Sequence, residues 1–123
     1  MNNEELVERS GFHDSELTAM QMRGNRVRLR FEDVSVDFER RERYRVTVEL
    51  GGVRRVTRDG EAVDTLHLED EASDVLRFER SGGTASLLLG WIPYTARTNR
   101  TCAYGFVFDA FDLTVARREP GLP

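Results

Sequence analysis

Alternation of apolar and polar residues at period two is the feature that most narrows what this chain can become. In "NRVRLRF", Val27, Leu29 and Phe31 alternate with Arg26, Arg28 and Arg30; in "YRVTVEL", Tyr44, Val46, Val48 and Leu50 alternate with Arg45, Thr47 and Glu49. Successive side chains of a strand point to opposite faces of its sheet, so such runs bury one face and wet the other. "AVDTLHLE" and "VLRFER" extend the pattern, with Leu66, Leu68, Leu76 and Phe78 as the apolar set. "TASLLLGWI" is apolar on both faces and reads as a central strand. Asp59-Gly60 suits a type I′ hairpin turn, whose two central residues need positive φ, and "SGG" at 81–83 predicts a further hairpin.

Two segments change phase partway. In "RFEDVSVDF" the apolar set passes from Phe31 to Val34, Val36 and Phe38, and in "FVFDAFDLTV" it passes from Phe106 and Phe108 to Phe111, Leu113 and Val115. A regular strand would then put half its apolar residues in water. A bulge restores the facing, and such bends occur where a strand turns a corner between sheet layers. Helix signals are few: Asn3 suits the cap of a short helix over "EELVER", with Gly11 beyond its end. The expected fold is therefore all-β, one domain over residues 1–123, an antiparallel β-sandwich or flattened barrel of about seven or eight strands with a short N-terminal helix. Its longest irregular connection is expected at residues 93–101.

Composition removes several classes of chemistry. A chain of 123 residues can bury one core without a covalent staple. Its single cysteine, Cys102, excludes an intramolecular disulfide and a cysteine-rich zinc site. All 18 basic residues are arginine, which removes Schiff-base lysine chemistry and a P-loop lysine. A net charge of −4 argues against nucleic acid as the partner and leaves room for a local arginine patch. The opening "MNNEELVERS" lacks the apolar run of a secretory signal, and Leu87–Leu89 is far too short to span a bilayer. A cytoplasmic location without membrane attachment is the expectation.

Candidate sites are sparse. His13-Asp14 has the residue types of a base and its orienting carboxylate, but neighbours on a strand face opposite ways, so they are badly placed to bond each other. The structural reading is that Phe12 anchors the start of the first strand while Asp14 and Ser15 bond local backbone. His67 falls with Val63, Thr65 and Glu69 on the outer face, and no His-X-His or His-Glu-X-X-His spacing supports a metal. Cys102 reads as a buried small side chain rather than a nucleophile. Trp91, Tyr94, Arg97, Asn99 and Arg100 bring aromatic area and planar donors to one connection, the residue types that interfaces enrich. The alternative is that Trp91 and Tyr94 close the end of the core and the arginines are solvated. No residue pattern calls for a metal or another cofactor.

The opening "FHDSEL", the following Gly24-Asn25 and "RVRLRF", and the closing "AYGFVFDAFDLTV" resemble a loose group of small bacterial β-rich proteins of unassigned activity. Their pattern begins with Phe/Leu-His-Asp-X-X-Leu and ends with a glycine-led strand, and some of them look like immunity proteins that neutralise polymorphic toxins. The similarity covers both ends of the chain and not residues 39–101. It implies a β-sandwich binding protein without catalytic machinery, in which His13 and Asp14 are signature positions with no established role.

The expected function is thus non-catalytic protein binding, as in an immunity-type toxin antagonist. The net negative charge would steer a basic partner. A small-ligand or carbohydrate-binding module, with Trp91 and Tyr94 as stacking surfaces, is the alternative. An enzyme using His13 is a third class. An unpaired edge strand would equally support a homodimer.

Overall fold

The computed structural model describes residue 12 and residues 15–35, 43–66, 73–91 and 100–117, with only the backbone described at positions 35, 43, 73, 91, 100 and 117. Nine strands run through them: β1 (Glu16–Arg23), β2 (Arg26–Ser35), β3 (Arg43–Gly51), β4 (Arg55–Arg58), β5 (Glu61–Ala62), β6 (Ser73–Ser81), β7 (Thr84–Trp91), β8 (Arg100–Val107) and β9 (Ala110–Arg117). They form one antiparallel sheet in the order β5-β4-β8-β7-β6-β1-β2-β3-β9, whose hydrogen-bonded ladder does not close among the described residues. The all-β expectation holds. The proposed N-terminal helix lies outside the described residues.

Turn chemistry follows the residues. Asp59 and Gly60 both have positive φ, 51° and 87°, as a type I′ turn between β4 and β5 requires. Gly24 and Gly82 supply positive φ at the first position of the two-residue β1–β2 and β6–β7 turns.

Both expected phase changes are built as irregularities. The β2–β3 ladder shifts register between Phe31 and Val34, and Asp33 there adopts φ 57°. Phe31 and Val34 consequently both face inward, fully buried. The second change is a corner. β3 pairs with β9 from Tyr44↔Arg117 to Gly51↔Ala110, and β4 pairs with β8 from Arg55↔Val107 to Arg58↔Tyr104. Residues 43–58 and 100–117 are therefore two arms each of a bent antiparallel ribbon, slipped by one residue at its bend.

That bend folds the sheet over itself. β6 and β9 are four strand steps apart, roughly 19 Å in a flat sheet. Yet the Arg80 guanidinium of β6 lies 4.1 Å from the centre of the Phe111 ring of β9. Phe106, Leu87, Leu89, Val46, Val48 and Leu29 fill the space enclosed.

Two expected strands are corrected. "AVDTLHLE" contributes only Ala62 to β5: after Val63 N–H returns to the Val56 carbonyl at 3.0 Å, residues 63–66 are irregular, although Leu66 still packs on the core, and residues 67–69 lie outside the described residues. In β6 the inward pair is Val75 and Phe78, not Leu76 and Phe78. A bulge between Val75 and Arg77 takes Leu76 out of the β6–β7 register and turns it outward, 36% exposed over Gly90.

Candidate functional site

The two ends of the 91–100 connection are brought together in the structure. Trp91 ends β7 and Arg100 begins β8, paired across the ladder. β8 starts inside the stretch expected to be irregular, because pairing continues through Gly90↔Thr101 to Trp91↔Arg100. Tyr94, Arg97 and Asn99 lie outside the described residues, as do His13, Asp14 and His67.

What flanks His13 and Asp14 is structural. Phe12 is buried, with its ring 4.7 Å from Phe31 and 4.8 Å from Phe78. Ser15 is fully buried: its hydroxyl and its N–H both donate to the Phe12 carbonyl, at 2.6 and 3.1 Å, and its own carbonyl accepts from Val75 N–H at 2.8 Å. The segment thus ties β1 to β6 at their short junction, where only Glu16↔Asp74 and Leu17↔Ser73 pair.

Cys102 is buried, as its context suggests, but it is not without neighbours. Arg58 Nε donates to Sγ at 3.1 Å, and the thiol faces Asp59 Oδ2 at 3.8 Å. Asp59 Oδ1 accepts from Ala103 N–H at 2.9 Å. The β4–β8 register brings these residues together from 43 and 44 positions apart in sequence, which local inspection could not find. Their role is to fasten the β4–β5 turn to β8.

The other concentration of polar chemistry is on the outer face of β1-β2-β3-β9. Cross-strand pairing sets Gln21, Arg28, Glu49 and Asp112 in one row, and Ala19, Arg30, Thr47 and Thr114 in the next. Arg23 and Arg26 sit opposite each other beside the Gly24-Asn25 turn. A shallow depression of about 500 Å³ lies at this end, with Gln21, Arg23, Arg26, Arg28, Phe111 and Asp112 in its wall. Arg28 places Nε and one terminal nitrogen at 3.0 and 2.7 Å from a single Glu49 oxygen. Arg23, Arg26 and Arg30 are exposed and have no ion-pair partner among the described residues.

The arrangement offers four guanidinium groups against two carboxylates, one already held by Arg28. Planar guanidinium forks match carboxylate and phosphate oxygens. Ala19, Gly51 and Ala110 place no long side chain on the neighbouring surface. Among the described residues no group of three or more His, Cys, Asp or Glu side chains stands ready for a metal, and no helix is long and apolar enough to cross a membrane. No family model, curated protein or solved structure matches the chain.

Proposed function

We propose that the protein is a non-catalytic binding domain for a protein partner, in the manner of an immunity-type toxin antagonist, and that it binds through the arginine-bearing outer face of β1-β2-β3-β9. The supporting observation is the set of three exposed guanidiniums, Arg23, Arg26 and Arg30, without ion-pair partners among the described residues and beside a shallow depression. Net charge alone favours a basic partner. At contact distance the local sign decides, since exposed charges are screened beyond about 8–10 Å at physiological salt. The face therefore selects an acidic protein surface, and the chain's net −4 discourages the long uniform anion that nucleic acid presents.

The test is affinity capture with the tagged protein, the triple variant R23A/R26A/R30A and the control R55A, which removes an exposed arginine of β4 away from this face. The expected result is a partner captured by wild type and R55A, lost by the triple variant and weakened by salt. A partner retained by the triple variant, no partner at all, or capture of nucleic acid in its place would overturn the proposal.

A further inference from the structure

The edge of β9 turned away from β3 borders the arginine face but differs from it in kind, because it offers backbone groups rather than guanidiniums. β9 pairs with β3 over eight consecutive positions without a bulge. Beyond the corner, no described residue hydrogen-bonds its other edge. The opposite edge of the sheet is blunted by the two-residue β5, whereas β9 runs for eight residues with neither a proline nor a bulge. Along β9, Ala110, Asp112, Thr114 and Ala116 are exposed on the outer face, while inward-facing Phe111 and Val115 are only partly buried. Asp112 lies opposite Glu49, whose carboxylate is taken by Arg28, and has no ion-pair partner among the described residues.

We infer that β9 pairs antiparallel with β9 of a second copy of this chain, about a two-fold axis at Leu113. A two-fold axis at residue n pairs each position with the one equally far on the other side, and this keeps sheet faces matched. Centred on Leu113, it sets Asp112 opposite Thr114, Phe111 opposite Val115, Ala110 opposite Ala116, and Asp109 opposite Arg117. Asp112 gains a hydroxyl opposite it, and Phe111, whose ring already carries the Arg80 guanidinium, gains Val115 as an apolar neighbour. Centring on Asp112 would oppose two carboxylates directly. Centring on Thr114 would set Phe111 against Arg117. The sequence of β9 is thus self-complementary in one register, which is the property an isologous interface requires.

Light scattering on size-fractionated protein tests this with opposite charges at one exposed position. Wild type should run at twice the 14.1 kDa chain mass and dissociate on dilution. T114D sets a second carboxylate opposite Asp112 and should be monomeric; T114K sets an ammonium there and should remain dimeric. Circular dichroism establishes that both variants fold. Should T114D unfold, amide exchange of wild type across the dilution series replaces it: the β9 amides should lose protection on dissociation while those of the β1–β2 hairpin keep theirs. A monomeric wild type, a dimer that survives in T114D, loss of the dimer in T114K, or β9 protection that does not change with dilution would each overturn the inference.

Discussion

Single residues at the bend carry disproportionate weight. Gly52 has φ +61°, and a Cβ added to it would meet Asp109 Oδ2 at 2.7 Å and Asp109 Cβ at 2.9 Å. The carboxylate can swing aside, but the Asp109 Cβ is held by a backbone whose N–H donates to the Gly51 carbonyl at 3.0 Å. Gly24 has a similar φ, +58°, with open space around it. Left-handed backbone costs a non-glycine residue about 1–2 kcal/mol, so G24A should lose that much and G52A about 1–2 kcal/mol more. Urea unfolding of the two variants measures the difference; equal losses would mean that the corner yields freely. At this scale the sequence was readable where a residue answers to its own backbone. Phe12 and Ser15 anchor the first strand as their types suggest, whereas the Arg58–Cys102–Asp59 contacts join residues with no local relation and were missed. His13, Asp14, Tyr94, Arg97 and Asn99 lie outside the described residues.

Elements were legible in proportion to how regular they are. β2 and β3 announced themselves by alternation, and the two phase changes marked the bulge and the bend because apolar residues must keep facing inward on both sides of an irregularity. β6 was misread by one residue because "DVLRF" offers two apolar sets, Val75 or Leu76, and only the pairing with β7 decides between them. "AVDTLHLE" alternates, yet of its described residues only Ala62 is strand, because alternation describes exposure and supplies no pairing partner. The β4–β8 pairing is itself testable. Thr57 lies opposite Gly105, and a Cβ at Gly105 would stand 2.7 Å from Thr57 Oγ1, a β-branched side chain with little freedom to turn away. G105A should therefore destabilise by about 1–3 kcal/mol, and the double variant T57A/G105A should recover at least about 1 kcal/mol relative to additivity. A double-mutant cycle in urea reads the coupling directly, and additive losses would show that the two residues do not meet across the strands.

For the whole molecule, the sign of the charge and its placement point in different directions. The chain is net negative, yet Arg23, Arg26, Arg28 and Arg30 gather at one end of an outer face. The sequence displayed these arginines as the wet side of alternating strands; which of them meet carboxylates depends on the β1-β2-β3-β9 register, so the unpaired set became visible only in the fold. Arg23 and Arg26 face each other directly, and like charges directly opposed across strands are destabilising, so this face opposes folding. If it is kept for binding, relieving it should stabilise the domain while weakening the complex. R26T is accordingly expected to gain about 0.2–1 kcal/mol, a rise of about 1–5 °C in Tm, and to lose affinity for the captured partner. The gain should shrink as salt is raised, because exposed repulsion is what salt screens. Thermal unfolding at low and high ionic strength separates this from packing: a fall in Tm that salt does not change would mean that the Arg26 stem covers apolar surface and that its charge costs the fold nothing.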